Sequence, residues 1–166
     1  MKSIVTFLSI LLSISLISCG GKEEKKKEGF SYEKKATTKT TRAAPTTKVP
    51  ASQQINLSDK GVGPITSLLL PTEIDQTMVA HGAEVYKKMC TACHRPEKKF
   101  IGPAPKGIME RRAPEWIMNM ILNPEQMVKE NTLAKDLLIE FNGAPMANQN
   151  LTEEEARAVL EYFRTL

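Results

Sequence analysis

Cys90-Thr91-Ala92-Cys93-His94 is the stretch on which the reading of this 166-residue chain turns. Two thiols three positions apart on a helical turn can each add to one vinyl group of a single porphyrin. The imidazole that follows directly is then held beneath the iron as a proximal ligand. A bare C-x-x-C leaves thiol-redox, zinc and haem roles open, and the adjoining histidine narrows them to covalent haem attachment. A thiol-redox motif would also be expected near a β-α-β pattern, and the sequence shows none.

The remaining cysteine, Cys19, makes an odd total of three. It follows a positive start at Met1-Lys2 and an apolar run from Ile4 to Ile17. That run is shorter than the roughly 20 apolar residues of a membrane span, and it has the form of the hydrophobic core of an export signal. The ending Leu16-Ile17-Ser18-Cys19 resembles the lipobox of bacterial lipoproteins. The resemblance implies a signal peptide over residues 1–18, diacylglycerol on the Cys19 thiol, and an anchor in membrane lipid. With Cys19 on lipid and Cys90 and Cys93 on haem, no disulfide is left to form.

Charge separates the tail from the body. Residues 22–60 carry a net +5, whereas residues 61–166 carry a net −2. There is no basic stripe with interleaved aromatic residues, so nucleic-acid binding has no support. Residues 19–60 are rich in Lys, Glu, Thr, Ser, Ala and Pro, with almost no large apolar side chains. Such a composition cannot offset the entropy of ordering and predicts a disordered, lipid-anchored linker, with a coil span of roughly 35–40 Å. Residues 61–74 form a lead-in segment in which Leu68-Leu69-Leu70 meets the edge of the core or the outside of the domain.

The body over 75–166 reads as all-α. Asp75 is a suitable N-cap for a first helix through Val79, Gly82, Val85, Tyr86 and Met89 into the haem motif. Pro103 and Pro105 mark a loop. Pro114 suits the first turn of a helix carrying Trp116, Ile117, Met120 and Ile121, which Pro124 ends. Leu133, Leu137, Leu138 and Phe141 have helical spacing, and Gly143 to Asn150 reads as loop. Thr152 and Glu155 form a capping box at the start of a last helix that presents Ala156, Val159, Leu160 and Phe163 on one side. A core of about 95 residues with few aromatics is small for a stable globule. A covalent haem would supply the missing apolar plate.

Residues 75–166 resemble a class I c-type cytochrome, in which about four to five short helices wrap one covalent haem c. In that family a glycine and an aromatic residue precede the first haem cysteine by eight and four positions, where Gly82 and Tyr86 stand. The resemblance implies a close crossing of the terminal helices, with Tyr86 packed against Leu160 and Phe163. Ile101-Gly102-Pro103 is similar to the family loop whose proline carbonyl accepts a hydrogen bond from the ligand histidine, which orients the ring. Pro105 stands where the family usually has leucine.

Of eight methionines, Met146 in Gly143-Ala144-Pro145-Met146 occupies the kind of late-loop position that supplies the family's axial thioether. Ala147 replaces the proline that many relatives carry next. The resemblance therefore implies His94 and Met146 as the iron ligands. Met109, Met118, Met120 and Met127 read as core filler. His81, nine residues before Cys90 on the same helix, reads as solvent-facing. Trp116 is a candidate for a haem propionate contact through its indole N–H, with a buried core tryptophan an equal reading. Lys87, Lys88, Lys98, Lys99, Arg111 and Arg112 are candidates for a basic rim at the haem edge, or for solvated surface.

Iron bound from both sides has no open position for oxygen or peroxide chemistry, so the expected role is one-electron carriage and not catalysis. The expected place is the bacterial cell envelope, with the haem domain in the periplasm and the lipid in the inner or the outer membrane. The expected partners are a membrane donor and a terminal oxidase or respiratory reductase, nitrous oxide reductase among them. The competing reading is a haem sensor or peroxidase-like enzyme whose sixth iron position is open or displaceable.

Overall fold

The computed structural model describes residues 49–166. The signal stretch 1–18, Cys19 and the linker as far as residue 48 lie outside the described residues. After an extended lead-in come five α-helices, α1 (Gln76–Met89), α2 (Pro114–Leu122), α3 (Pro124–Glu130), α4 (Thr132–Glu140) and α5 (Glu153–Phe163). Short 3-10 turns occupy Ala51–Gln53 and Ile108–Glu110. The described residues contain no β-strand, only an isolated bridge between Asn56 and Arg112. The all-α reading, with five helices, holds.

Local chemistry sets the helix ends. The Asp75 carboxylate accepts from the N–H groups of Thr77 and Met78, which α1 would otherwise leave unpaired. Asn131 does the same for Ala134 at the start of α4. Thr152 and Glu155 close the reciprocal capping box of α5. Pro124 acts differently from the expectation that it only ends a helix. The helix before it stops at Leu122, and Pro124, whose missing N–H costs nothing in a first turn, begins α3 one residue later.

The first and last helices cross at Gly82. A Cβ there would fall 1.9 Å from the backbone oxygen of Ala158, so only a glycine lets the two backbones approach this closely. Tyr86 lies one turn further on, its ring 5.4 Å from Tyr162 and 5.7 Å from Phe163, edge-on to the latter. Leu160 is fully buried beside them. Helix α2 also packs against α5 and contributes Trp116, Ile117 and Ile121 to the core.

Residues 49–60, expected as the end of a disordered linker, are ordered. Ala51 is buried, the Asn56 N–H donates to the Arg111 carbonyl at 2.9 Å, and Ser52 donates through both N–H and Oγ to the Glu140 carboxylate. Leu68 and Leu70 pack against the core while Leu69 between them is 92% exposed. Residues 49–75 thus form a strap laid over the helices.

Composition misleads here because polar groups hold the strap. The buried polar and charged residues among those described are Arg112, Glu115, Asn119, Asn131 and Glu161, and all five bond to the strap. Arg112 donates to the carbonyls of Ala51 and Gln54. Glu115 accepts from the Leu68 N–H and pairs with Lys60. Asn119 brackets Ile65, accepting from its N–H at 2.9 Å and donating to its carbonyl at 2.8 Å. Asn131 donates to Asp59, and Glu161 accepts from the Asp75 N–H.

Candidate functional site

The end of α1 delivers the Cys-x-x-Cys-His stretch into a tight turn. The N–H groups of Cys93 and His94 both donate to the Cys90 carbonyl, at 3.1 and 2.9 Å. The turn therefore directs both thiols and the imidazole toward one crevice, lined by Cys90, Cys93, His94, Pro103, Trp116 and Met146. Its atom-free space, part of it open to solvent, is about 1390 Å³. All the haem and iron residues expected from the sequence thus meet at one place in the fold, while His81 is exposed outside it.

The imidazole is held on two sides. His94 Nδ1 donates to the Pro103 carbonyl at 2.8 Å, which leaves Nε2 as the nitrogen available to a metal. A Cβ at Gly102 would sit 2.4 Å from His94 Cε1, so the ring lies flush against that backbone. The Gly102 N–H in turn donates to the Cys93 carbonyl at 2.8 Å, closing the loop back onto the motif. Before haem attachment, burial pushes the free Cys90 thiol up to about 11, with Cys93 adding to the rise. Burial likewise pushes Tyr86 up to about 12, with Cys90 contributing.

Three methionines reach the crevice: Met89 from the end of α1, Met120 from α2 and Met146 from the loop between α4 and α5. Met118 and Met127 are buried in the core, as filler. The walls between the polar groups are apolar, formed by Ile117, Ile121, Leu137, Leu138, Val159 and Phe163.

Two expectations need correction. The indole N–H of Trp116 donates to Asn131 Oδ1 at 3.2 Å, so its one donor is committed within the core and the propionate contact gives way to the core reading. Arg112 is 3% exposed and tied to backbone carbonyls of the strap, so it belongs to the crevice and not to a basic rim. Lys87, Lys88, Lys98 and Lys99 are exposed. Sequence reading missed Ser52, which lines the crevice from the strap, and Glu140, which holds it. It also missed Asn119, although a lone asparagine inside the apolar run Trp116-Ile117-Met118-Asn119-Met120-Ile121 signals a buried polar partner.

The donor set fits a covalently held porphyrin. Two thiols, one oriented imidazole and a thioether line one mostly apolar crevice. Arg111 and Arg112 in its lining offer cations to the ring's two carboxylates.

Comparison with known proteins agrees with this geometry. The Cytochrome c family model matches residues 79–166. Cytochrome c2 of Rhodocyclus tenuis is 34% identical over 80 residues, 48% of this chain and 84% of that protein. The solved structure of cytochrome c from Rhodothermus marinus is 37% identical and superposes with a TM-score of 0.61, covering 70% of this chain and 92% of that one. An engineered form of the same Rhodothermus marinus protein, Rma TDE, is 36% identical with a TM-score of 0.60. The structural match covers more of the chain than residues 79–166 contain, so it reaches into the strap.

Proposed function

This chain belongs to the cytochrome c family, as a class I electron carrier with one covalently bound haem c, and on that premise we propose that it works as a lipid-anchored shuttle in a bacterial cell envelope. In this reading Cys19 carries the lipid and the haem domain stands in the periplasm. It takes single electrons from a membrane donor and passes them to a terminal oxidase or a respiratory reductase, with nitrous oxide reductase one such acceptor.

The observation that carries the reading is the meeting of Cys90, Cys93, His94 and Met146 in one apolar crevice. Cys90 and Cys93 would hold the haem through thioether bonds, His94 through Nε2 and Met146 through its sulfur. Bound there, the haem supplies one-electron chemistry at iron, with no group to transfer. The protein's own part is to hold that iron still. Pro103 orients the imidazole and raises its basicity. The apolar walls exclude water and so disfavour the more highly charged oxidised state. A thioether, a soft ligand, favours the reduced metal for the same direction of effect.

Met89, Phe100 and Ile101 are 37%, 46% and 47% exposed, and Met89 and Ile101 line the crevice mouth. With Lys87, Lys88, Lys98 and Lys99 nearby in sequence, this edge suits brief docking of an acidic partner. Tethering keeps the carrier near such partners without tight binding.

The test begins with the purified full chain, made with cytochrome maturation factors. Haem retained through acid-acetone extraction, a long-wavelength sulfur-to-iron band in the oxidised protein and no carbon monoxide binding when reduced are expected. Met146→Ala is expected to abolish the band and open the iron to carbon monoxide, whereas Met120→Ala retains the band. Carbon monoxide binding by the unaltered protein would instead support the sensor or peroxidase-like reading. Labelled palmitate on the chain, lost in Cys19→Ala together with membrane association, tests the anchor. Comparing the rates at which purified oxidases and reductases reoxidise the protein identifies the acceptor.

A further inference from the structure

We infer that the strap over residues 49–75 is a working wall of the haem crevice, and that Glu140 is a positioning residue that keeps it shut by holding Ser52. The inference rests on the haem reading above. It starts from the five buried polar and charged residues among those described, each of which makes at least one bond to the strap. A buried polar group left without its partner destabilises the fold. Five such sites would make little sense if the strap were a passive continuation of a tether.

The strap also reaches the site. Ser52 lines the same crevice as Cys90, His94, Arg111, Arg112 and Met146. The turn that carries it is fixed from both sides. On one, Arg112 donates to the Ala51 carbonyl at 2.5 Å. On the other, Glu140 accepts from the Ser52 N–H at 2.8 Å and from Ser52 Oγ at 2.5 Å. Glu140 is the last residue of α4, and it lies 88 residues along the chain from Ser52. This latch therefore joins the Ala51–Gln53 turn to the helix that precedes the Met146 loop. With it closed, water is kept from the end of the crevice where two guanidinium groups would meet the haem carboxylates. With it open, that end is wetted, and the more highly charged oxidised state gains relative to the reduced one.

Glu140→Ala and Glu140→Gln in the full-length holoprotein separate this role from a simple charge effect, because both remove the same negative charge. Glutamine retains an oxygen that accepts from the Ser52 N–H; alanine retains nothing. Amide hydrogen exchange at residues 51–56 is expected to be at least about tenfold faster in the alanine variant than in the glutamine variant. The alanine variant is also expected to have the lower reduction potential of the two, with the long-wavelength sulfur-to-iron band present in both. Equal exchange rates would overturn the latch. Faster exchange with equal potentials would overturn the wall, since the strap would then open without the iron sensing it. Haem content of the unaltered parent, read first, tests the proposed function separately: a parent without covalent haem defeats that function, and the exchange contrast still reports on the latch.

Discussion

The α1–α5 crossing and the strap hold chain against chain by opposite means. At the crossing the fit is one of shape: Gly82 brings backbone onto backbone, and Tyr86, Leu160 and Phe163 close the space around it. Under the strap the fit is one of hydrogen bonds, with five buried polar side chains from the helical body reaching the backbone or side chains of residues 49–75. Apolar packing is tolerant of small rearrangement but intolerant of added volume. A hydrogen-bonded seam fails when one partner is removed and a buried donor or acceptor is left unpaired. The two regions should therefore respond to different kinds of substitution.

The largest effect is expected at the crossing. Gly82→Val places carbon against the Ala158 carbonyl, a backbone atom that cannot swing aside. The expected loss is more than about 3 kcal/mol, the upper end of overpacking penalties, read by denaturant unfolding and by a fall in haem-loaded protein. A variant with normal stability would show that the helices can separate there without cost, and the contrast would fail at its first term.

Glu161 comes next, because it belongs to both regions. It is buried on α5 between Arg157 and Arg164, at 2.5 and 2.6 Å, and it receives the Asp75 N–H at the end of the strap. Burial by itself raises its carboxyl, but the two guanidinium groups and the Asp75 N–H outweigh that and hold it below the ordinary glutamate value of 4.5. A carboxyl held lower in the folded than in the unfolded chain stabilises the fold above the ordinary value. That contribution is lost as pH falls below about 4.5 toward the folded value. Glu161→Gln is expected to cost about 2–3 kcal/mol at pH 7, somewhat under a fully buried pair because both arginines keep some exposure. The gap between parent and variant should narrow steadily from pH 5 to pH 3 in unfolding titrations. A gap that stays constant would remove the carboxylate from the account.

Asn119→Leu isolates the strap. Leucine has nearly the same size and leaves the N–H and carbonyl of Ile65 without partners. A loss of about 2 kcal/mol is expected, with hydrogen exchange rising at residues 60–68 and not across α1 and α5. Uniformly faster exchange would mean that the strap and crossing melt as one unit. The smallest effect is expected at Leu69, 92% exposed between two packed leucines. Leu69→Ser should change stability by less than about 0.5 kcal/mol, and a larger loss would show an apolar contribution to the seam.

Much of this was readable from residue order. Asp75, Pro114 and the Thr152–Glu155 box announced three helix starts, because caps act on the neighbouring N–H groups and need no distant partner. Pro124 was legible as punctuation but not as the opening of a further helix, since a proline that ends one helix can also begin the next. The haem motif was the clearest signal of all, its geometry being contained in five consecutive residues. Within the strap, residues 61–74 read as a lead-in with Leu68–Leu70 at the core edge, but the order of residues 49–60 went unread for the opposite reason. Apolar side chains are too few there to suggest order, and the groups that hold it, Arg112, Asn131 and Glu140 among them, lie some tens of residues away in the chain.

Residue order by itself determined the attachment chemistry, the all-helical class and the ends of most helices, because each depends on spacing within a turn or two. Tertiary structure alone decided that the Trp116 N–H serves Asn131, that Arg112 is buried against the strap, and that Ser52 and Glu140 meet beside the crevice. Those pairings join residues far apart in the chain, and which buried donor finds which acceptor is settled only when the helices have packed and water has been excluded from between them.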